Sequence, residues 1–570
     1  MTSATRCVRR KPWRLGLGGW VVFGLVALGM GAAPLPSRAE VDNGSGWIAT
    51  RLDMVITPQI DRAILQVAGT LFLRLDAPAS QGPTLTLNGR GPAIRFLRAE
   101  APGATSTMND TLRGLPAIRS ARLHLAKPAR QGETLEIAFA CEGEAKGYQV
   151  LVRPEIALAS WVEAWYPSPL PAMEEEAGNP AAVSGSTSFR LPKGWRAVTN
   201  GRRVESTDCG AQACERWVTE EAVMRSFAAA PYREAQARAG NLDVGVYCLS
   251  APLAVAEKKA TVLARALNAM ERRFGPYPYP TYAIAEVPEG MVEWAAGSEQ
   301  GFILVKSSIL ADSSENLPLF AHEAAHGWWG NLVQSKEPGA KFCSESLAEY
   351  SAVTAIEDLE GNKAAAEFLE YSRPGYNPLQ SALGYFTMWR DGGDKPMSEL
   401  ADDKWDHNLA DSKGAWVLHM LRGAVGDSAF FGALRGVIRS YQGKSISLRE
   451  LEAALAAAAP DRGVHEYFQQ WLYGRGAPVL NLDWWSVDRG RGVEVTVSQL
   501  QPGEPLRFPL EIEVGLRGGG TERRKLRVSE RTEKFHLEVP ARAESVEIDP
   551  DRRLLVWRPA YGPRPMEETK

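Results

Sequence analysis

Two hydrophobic periods divide this chain. From about residue 45 to 240, apolar side chains recur at every second position in short runs such as Ala63-Ile64-Leu65-Gln66-Val67 and Thr70-Leu71-Phe72-Leu73-Arg74-Leu75, broken by Gly, Pro, Asp and Asn. A period of two puts successive side chains on opposite faces of a strand, so this part predicts an antiparallel β domain. From about 255 to 475 the repeat becomes that of an amphipathic helix, in Ala- and Leu-rich stretches at 256–273, 345–360, 413–424 and 448–458. Apolar residues three and four apart line one helix face, so this part predicts a mainly helical domain. Alternation returns after Trp471-Leu472-Tyr473-Gly474, in the runs 493–497, 510–514 and 535–539. The closing stretch has the length of a small β-sandwich. The pattern gives an α+β multidomain chain, with an N-terminal β domain over 40–245, a mainly helical domain over 246–477 and a C-terminal β-sandwich over 478–570.

The first residues follow a different logic. Arg9, Arg10, Lys11 and Arg14 precede the apolar stretch Leu15 to Ala33, and Ser37-Arg38-Ala39 offers a small-x-small cleavage site before Glu40. This reads as a secretory signal peptide over 1–39 and predicts a periplasmic or secreted protein. The apolar stretch is close to spanning length, so an uncleaved anchor is the alternative, and membrane contact is expected only in that case. Export means an oxidising compartment, where the mature chain keeps Cys141, Cys209, Cys214, Cys248 and Cys343. An odd count leaves at least one free thiol. Cys209 and Cys214, with Gly-Ala-Gln-Ala between them, are the expected disulfide. Composition is ordinary for a globular protein, at 45% apolar and 23% charged, and a net charge of −3 points to no nucleic-acid partner.

The chemistry sits in the helical part. It holds His322-Glu323-Ala324-Ala325-His326, with eighteen residues between His326 and Glu345. Histidines four apart on a helix lie about 40° apart around its axis and about 6 Å along it, so both imidazoles reach one ion. Glu323, one residue past the first histidine, is near enough to take a proton from an attacking water and poorly aimed to bind metal, which makes it the general base. The helical pattern breaks at Pro338-Gly339 and resumes in Glu345-Ser346-Leu347-Ala348-Glu349-Tyr350, so Glu345 comes from an adjacent helix. His322, His326 and Glu345 then make a His2Glu set for one zinc ion with a fourth position open, the mark of a catalytic site.

A plainer reading competes. It makes 318–333 a buried amphipathic helix whose histidines are satisfied by hydrogen bonds, with Phe320, Trp328, Trp329, Leu332 and Val333 as core. Chance alone yields such a five-residue match in roughly one chain per hundred or two of this composition. The third ligand weighs against it. Cys343, close before Glu345, would close the site as a fourth ligand and leave the base without a role, so it reads as packing at the helix entry.

With these residues on the page, the chain resembles one family, the M1 or gluzincin zinc aminopeptidases. The family motif H-E-x-x-H-x18-E is met by His322, Glu323, His326 and Glu345, and its Trp-Phe-Gly-Asn-Leu-Val continuation is similar to Trp328-Trp329-Gly330-Asn331-Leu332-Val333. Further landmarks follow in the family's order: Trp165-Tyr166-Pro167, Pro192-Lys193-Gly194-Trp195 with Asn200-Gly201, Phe274-Gly275-Pro276-Tyr277-Pro278-Tyr279-Pro280, Trp471-Leu472-Tyr473-Gly474 with Pro478, and Ile548-Asp549-Pro550. The resemblance implies a thermolysin-like catalytic domain, one zinc per chain, and hydrolysis of N-terminal residues from a peptide substrate. The long C-terminal helical domain of larger members has no counterpart in this sequence, which implies a more open cleft.

Two departures stand out. The family's G-x-M-E-N loop supplies a glutamate that binds the substrate's free ammonium. The matching segment here is Ala295-Ala296-Gly297-Ser298-Glu299-Gln300-Gly301, and the resemblance gives Glu299 that role. Glu293, in Gly290-Met291-Val292-Glu293-Trp294, is the rival match, and a solvated loop carboxylate is the plain alternative. The family's oxyanion-binding tyrosine lies two residues before a Lys-Gly pair, yet the residue two before Lys413-Gly414 is Asp411. An ionised aspartate repels a developing oxyanion, and loss of one such donor costs about 10²- to 10³-fold in turnover. Tyr376, Tyr385 and His407 are the candidates to replace it; Asp411 otherwise selects a basic substrate side chain or serves as a helix N-terminal acid. Asp411 keeps open a zinc-binding peptide-recognition or scaffold protein of low activity. The altered loop around Glu299 keeps open a related zinc endopeptidase.

Overall fold

The computed structural model describes residues 45–88, 94–109, 118–147, 149–170, 181–291, 296–373, 376–401 and 403–565. The predicted signal segment and the rival Glu293 lie outside the described residues. In the N-terminal part, alternation is realised as burial: Trp47–Gln59 and Ile64–Leu75 pair antiparallel and turn Leu52, Met54, Ile56, Leu65, Val67, Leu71 and Leu73 inward. They lie at the middle of a seven-stranded sheet in the order Arg202–Cys209, Gln212–Val223, Val183–Pro192, Trp47–Gln59, Ile64–Leu75, Thr134–Glu144, Arg95–Glu100. Two four-stranded sheets and a two-stranded one, Ala79–Ser80 with Ala129–Arg130, also belong to this region. Cys209 and Cys214 form the expected disulfide across the Arg202–Cys209/Gln212–Val223 hairpin, with Cα atoms 5.9 Å apart, and Cys141, Cys248 and Cys343 are buried free thiols.

The division drawn between 245 and 246 needs correction. The strand Leu242–Cys248 runs through it and pairs in parallel with Thr281–Val287, while Arg233–Ala239 joins as an antiparallel hairpin. These strands belong to a five-stranded sheet in the order Arg233–Ala239, Leu242–Cys248, Thr281–Val287, Phe302–Lys306, Ala296–Glu299, so the sheet of the helical part begins near 233. A period of two marks a strand and carries no information about which sheet it joins. The parallel pair needs a crossover, and the helix Leu253–Phe274 supplies it with Ala256, Ala260, Leu263, Leu267, Met270 and Phe274 along its buried face.

Further helices then pack in one core with that sheet. The C-terminal part consists of two three-stranded antiparallel sheets, Leu480–Val487/Gly492–Gln499/Thr532–Glu538 and Thr521–Val528/Phe508–Leu516/Ala543–Ile548. Their alternating Val493, Val495, Val497, Leu510, Ile512 and Val514 are fully buried, as a sandwich requires. Among the described residues no helix is long and apolar enough to cross a membrane.

Candidate metal centre

The site begins with the helix Leu317–Ala325. Asn316 precedes it in the left-handed region at φ 52°, and Pro318 stands in its first turn, where a missing N–H costs nothing. Lys259 on the helix Leu253–Phe274 holds this entry, donating to the Ser314 carbonyl at 2.5 Å and to Asn316 Oδ1. Burial pushes the Lys259 amine down to about 8. The helix is shorter than the 318–333 pattern suggests: it stops at Ala325, His326 forms its C-cap, and Gly330 at φ 94° turns the chain back so that Asn331 N–H bonds the His326 carbonyl at 3.2 Å. A Cβ on Gly330 would meet Ser344 Oγ at 3.1 Å, so apolar spacing persists through Trp328 and Trp329 while the backbone leaves the helix.

His322 and His326 project from successive turns with Nε2 atoms 3.2 Å apart. Glu345 arrives from a π-helical turn, Phe342–Ser346, leading into the helix Leu347–Glu360. Its Oε2 lies 3.6 Å from His322 Nε2 and 3.4 Å from His326 Nε2. Zinc bonds of about 2.0–2.1 Å at tetrahedral angles put neighbouring donors about 3.3 Å apart, so this triangle fits the ion that the spacing predicts. Cys343 is in none of the donor clusters among the described residues.

Outer partners aim the donors. His322 Nδ1 meets Glu349 Oε2 at 2.8 Å, and His326 Nδ1 meets the Trp329 carbonyl at 3.0 Å, which leaves each Nε2 turned toward Glu345. The Tyr376 hydroxyl donates to the same Glu349 oxygen at 2.8 Å. The sequence analysis missed Glu349, although its place one helical turn after Glu345 is a legible signal. Burial opposes charge on His322, His326 and Glu345. For His322 the carboxylates of Glu345 and Glu349 more than offset it and hold the imidazole well above its ordinary pKa, and Glu345 raises His326 in the same way. The two imidazoles in turn hold Glu345 well below the usual carboxylate range. A buried donor set of this density exchanges its histidine protons for a cation.

Glu323 is buried on the same helix, and its backbone carbonyl accepts a hydrogen bond from Ser298 Oγ at 3.1 Å. That bond ties the metal helix to Ala296–Glu299, the edge strand of the five-stranded sheet. Glu299 follows at once. The residue is 5% exposed, and its carboxylate accepts from Ser226 Oγ at 2.6 Å; Ser226 in turn accepts from Trp161 N–H at 2.9 Å. Burial pushes Glu299 up to about 7, against the Ser226 and Ser160 hydroxyls, which favour the ionised form. It is no solvated loop carboxylate, and the residues around it from the β region were invisible to motif reading because they are distant in sequence.

Asp411 lies in a second π-helical turn, Ala410–Gly414, packed on the first: Ser346 Oγ donates to the Ala410 carbonyl at 2.7 Å, and a Cβ on Gly414 would meet Ser346 Oγ at 2.0 Å. The Asp411 side chain is buried, accepts from the Gln380 amide, and lies 3.2 Å from His407 Nε2. Burial raises it to about 6, with His407 and His322 pulling the other way. Of the three candidate donors, two are engaged elsewhere: Tyr376 on Glu349, and Tyr385 on Asp394 Oδ1 at 3.0 Å. His407 Nδ1 lies 3.7 Å from Glu345 Oε2.

Comparison with known proteins agrees with this geometry. Residues 259–471 match the peptidase family M1 domain. An aminopeptidase N of Lactococcus lactis subsp. lactis is 29% identical over 228 residues, covering 36% of this chain and 25% of that protein. Aminopeptidase M1 of Arabidopsis thaliana is 24% identical over 261 residues, covering 42% and 28%. The matched segment thus spans about a quarter of these relatives' length. In three dimensions the chain is similar to an M1 zinc metallopeptidase from Deinococcus radiodurans, with a TM-score of 0.58 at 18% identity over 76% of this chain and 95% of that one. A variant of the same protein bound to a Tyr-Ser-Ala substrate gives a TM-score of 0.59.

Proposed function

We propose that this protein, whose residues 259–471 match the peptidase family M1 domain, is a zinc aminopeptidase that hydrolyses N-terminal residues from peptides. The observation that carries the proposal is the triangle of His322 Nε2, His326 Nε2 and Glu345 Oε2, with Glu323 on the same helix and Glu299 on the adjoining edge strand. Zinc held by the triangle supplies Lewis-acid polarisation of a water and of the scissile carbonyl. Glu323 takes the proton of the attacking water and returns it to the departing amine, so that one carboxylate serves as base and then as acid. Glu299 holds the substrate's α-ammonium. An ammonium restores the charge partner that burial denies this carboxylate, and fixing the first residue against the edge strand places the first peptide bond at the metal.

The basic and apolar N-terminal segment supports export to the periplasm or medium, and the Cys209–Cys214 disulfide suits that compartment. The test is zinc content and turnover on aminoacyl reporters and on N-acetylated peptides, with Glu323→Ala alongside. The wild-type protein should bind one zinc and cleave only unblocked substrates, and Glu323→Ala should keep the zinc and lose about 10²- to 10⁴-fold in turnover. Hydrolysis indifferent to that substitution would sink the mechanism; preference for acetylated peptides would sink the exopeptidase.

A further inference from the structure

We infer that Ser226 is a positioning residue: its hydroxyl, with that of Ser160 beside it, fixes the carboxylate of Glu299 where a peptide's α-ammonium is to bind. The inference rests on the proposed aminopeptidase reading and concerns residues outside the donor triangle. The two serines come from one strand pair. Ala157–Ala159 and Phe227–Ala230 run antiparallel with Ala159 opposite Phe227, so the next step of the register sets Ser160 opposite Ser226. Both serines are buried, and both hydroxyls bond Glu299. The Ser226 contact, at 2.6 Å, has the length of a hydroxyl donating to a charged oxygen.

A hydroxyl carries one hydrogen. Trp161 N–H already occupies a lone pair of Ser226 Oγ, so that hydrogen is left for Glu299 Oε2. An ionised carboxylate offers about four acceptor positions, and two hydroxyls leave about two for an ammonium. The serine is itself locked. Its N–H donates to Asn200 Oδ1 at 2.9 Å, and its carbonyl accepts from Thr199 Oγ1 at 2.6 Å. Asn200 Nδ2 in turn donates to the Gln300 carbonyl at 2.7 Å, and Met224 N–H to Gln300 Oε1 at 2.6 Å. These bonds register the N-terminal β region against the edge strand that carries Glu299, and none of them reaches His322, His326 or Glu345. The titratable and charged neighbours are Tyr166 and Arg225, with Glu323 on the metal helix that Ser298 bonds. Burial raises the Tyr166 phenol, Arg225 lowers it and Glu299 raises it further, so the phenol stays protonated.

The experiment compares wild-type, Ser226→Ala, Ser160→Ala and Glu299→Gln proteins for zinc equivalents and for kcat and KM across pH, on an aminoacyl reporter and on its des-amino counterpart. Ser226→Ala should keep one zinc and lose about ten- to hundredfold in kcat/KM on the free-amine reporter, the worth of a hydrogen bond to a charged group, while the des-amino value stays within about threefold. Its acidic limb should move to higher pH, because a hydroxyl that favours the ionised carboxylate is gone. Ser160→Ala should move both readouts the same way. Equal losses on the two reporters, or an acidic limb that stays in place, overturn the inference and leave the peptidase intact. So does loss of zinc in both serine variants, which makes the serines parts of the fold and not of the subsite. An undiminished preference for the free amine in Glu299→Gln removes the ammonium role and the inference with it. A wild-type protein with full zinc and no turnover on either reporter removes the peptidase reading itself.

Discussion

Burial costs Glu299 much of its charge before any peptide arrives. A carboxylate raised to about 7 carries a penalty of roughly 3 kcal/mol on its ionised form relative to an exposed glutamate. Because the folded protein binds this proton more tightly than the unfolded chain, the group is neutral to stability at low pH and destabilises increasingly as pH rises from the ordinary glutamate range through 7. Two results follow. Wild-type kcat/KM on free peptides should fall as pH drops below about 7, where a protonated Glu299 cannot pair with an ammonium, and Glu299→Gln should lose most of its kcat/KM together with that acidic limb. The same variant should unfold at higher urea than wild type at pH 8 and at the same urea at pH 4. Equal stability at both pH values would show that the carboxylate is not desolvated. At this scale the sequence was a good guide to residues joined by helical spacing: His322, Glu323, His326 and Glu345 stand where the pattern put them. It was a poor guide to partners that fold topology supplies, since Ser226, Gln380 and Tyr376 lie far along the chain from the groups they bond.

The two π-helical turns are the elements that set the site. Each shifts the following helix by a residue relative to α-helical spacing, so Glu345 and Asp411 come to face the same donors from separate helices. No hydrophobic period marks such a turn, which is why the segments read as plain helix starts. The second turn is pinned from behind. Lys413 is fully buried, donates to Asp394 Oδ1 at 2.9 Å, and the same carboxylate accepts from Tyr385 and from the Gly476 N–H at 2.6 Å. Removing one partner of a buried pair strands the other, at a cost of about 3–5 kcal/mol. Lys413→Met should lower the urea midpoint accordingly, and adding Asp394→Asn should recover part of the loss, because the stranded charge is then gone. A double variant no more stable than the single one would refute the pairing argument.

The same arithmetic gives a different answer where the C-terminal part meets the helices. Glu370 is buried on the helix Asn362–Tyr371 and gathers Arg552, Arg558 and the Tyr561 hydroxyl, the last at 2.8 Å, while Tyr561 stacks on Phe386 with ring centres 5.5 Å apart. Geometry alone suggests a second buried lock. The charges left behind decide otherwise: Arg552 is 37% exposed, and Arg558 keeps Asp549 Oδ2 at 2.8 Å, so neither guanidinium is stranded if Glu370 goes. Glu370→Ala should therefore cost about 1–3 kcal/mol, the value of hydrogen bonds to a charged group, and not the 3–5 expected at Lys413. Its effect should also be local. With the docking of 559–561 weakened, limited proteolysis should cut the C-terminal segment faster, while zinc content and kcat stay at wild-type values, since no residue of this contact touches the donor triangle. Cleavage at the wild-type rate would mean that the stacked aromatics, and not Glu370, hold the closing segment in place.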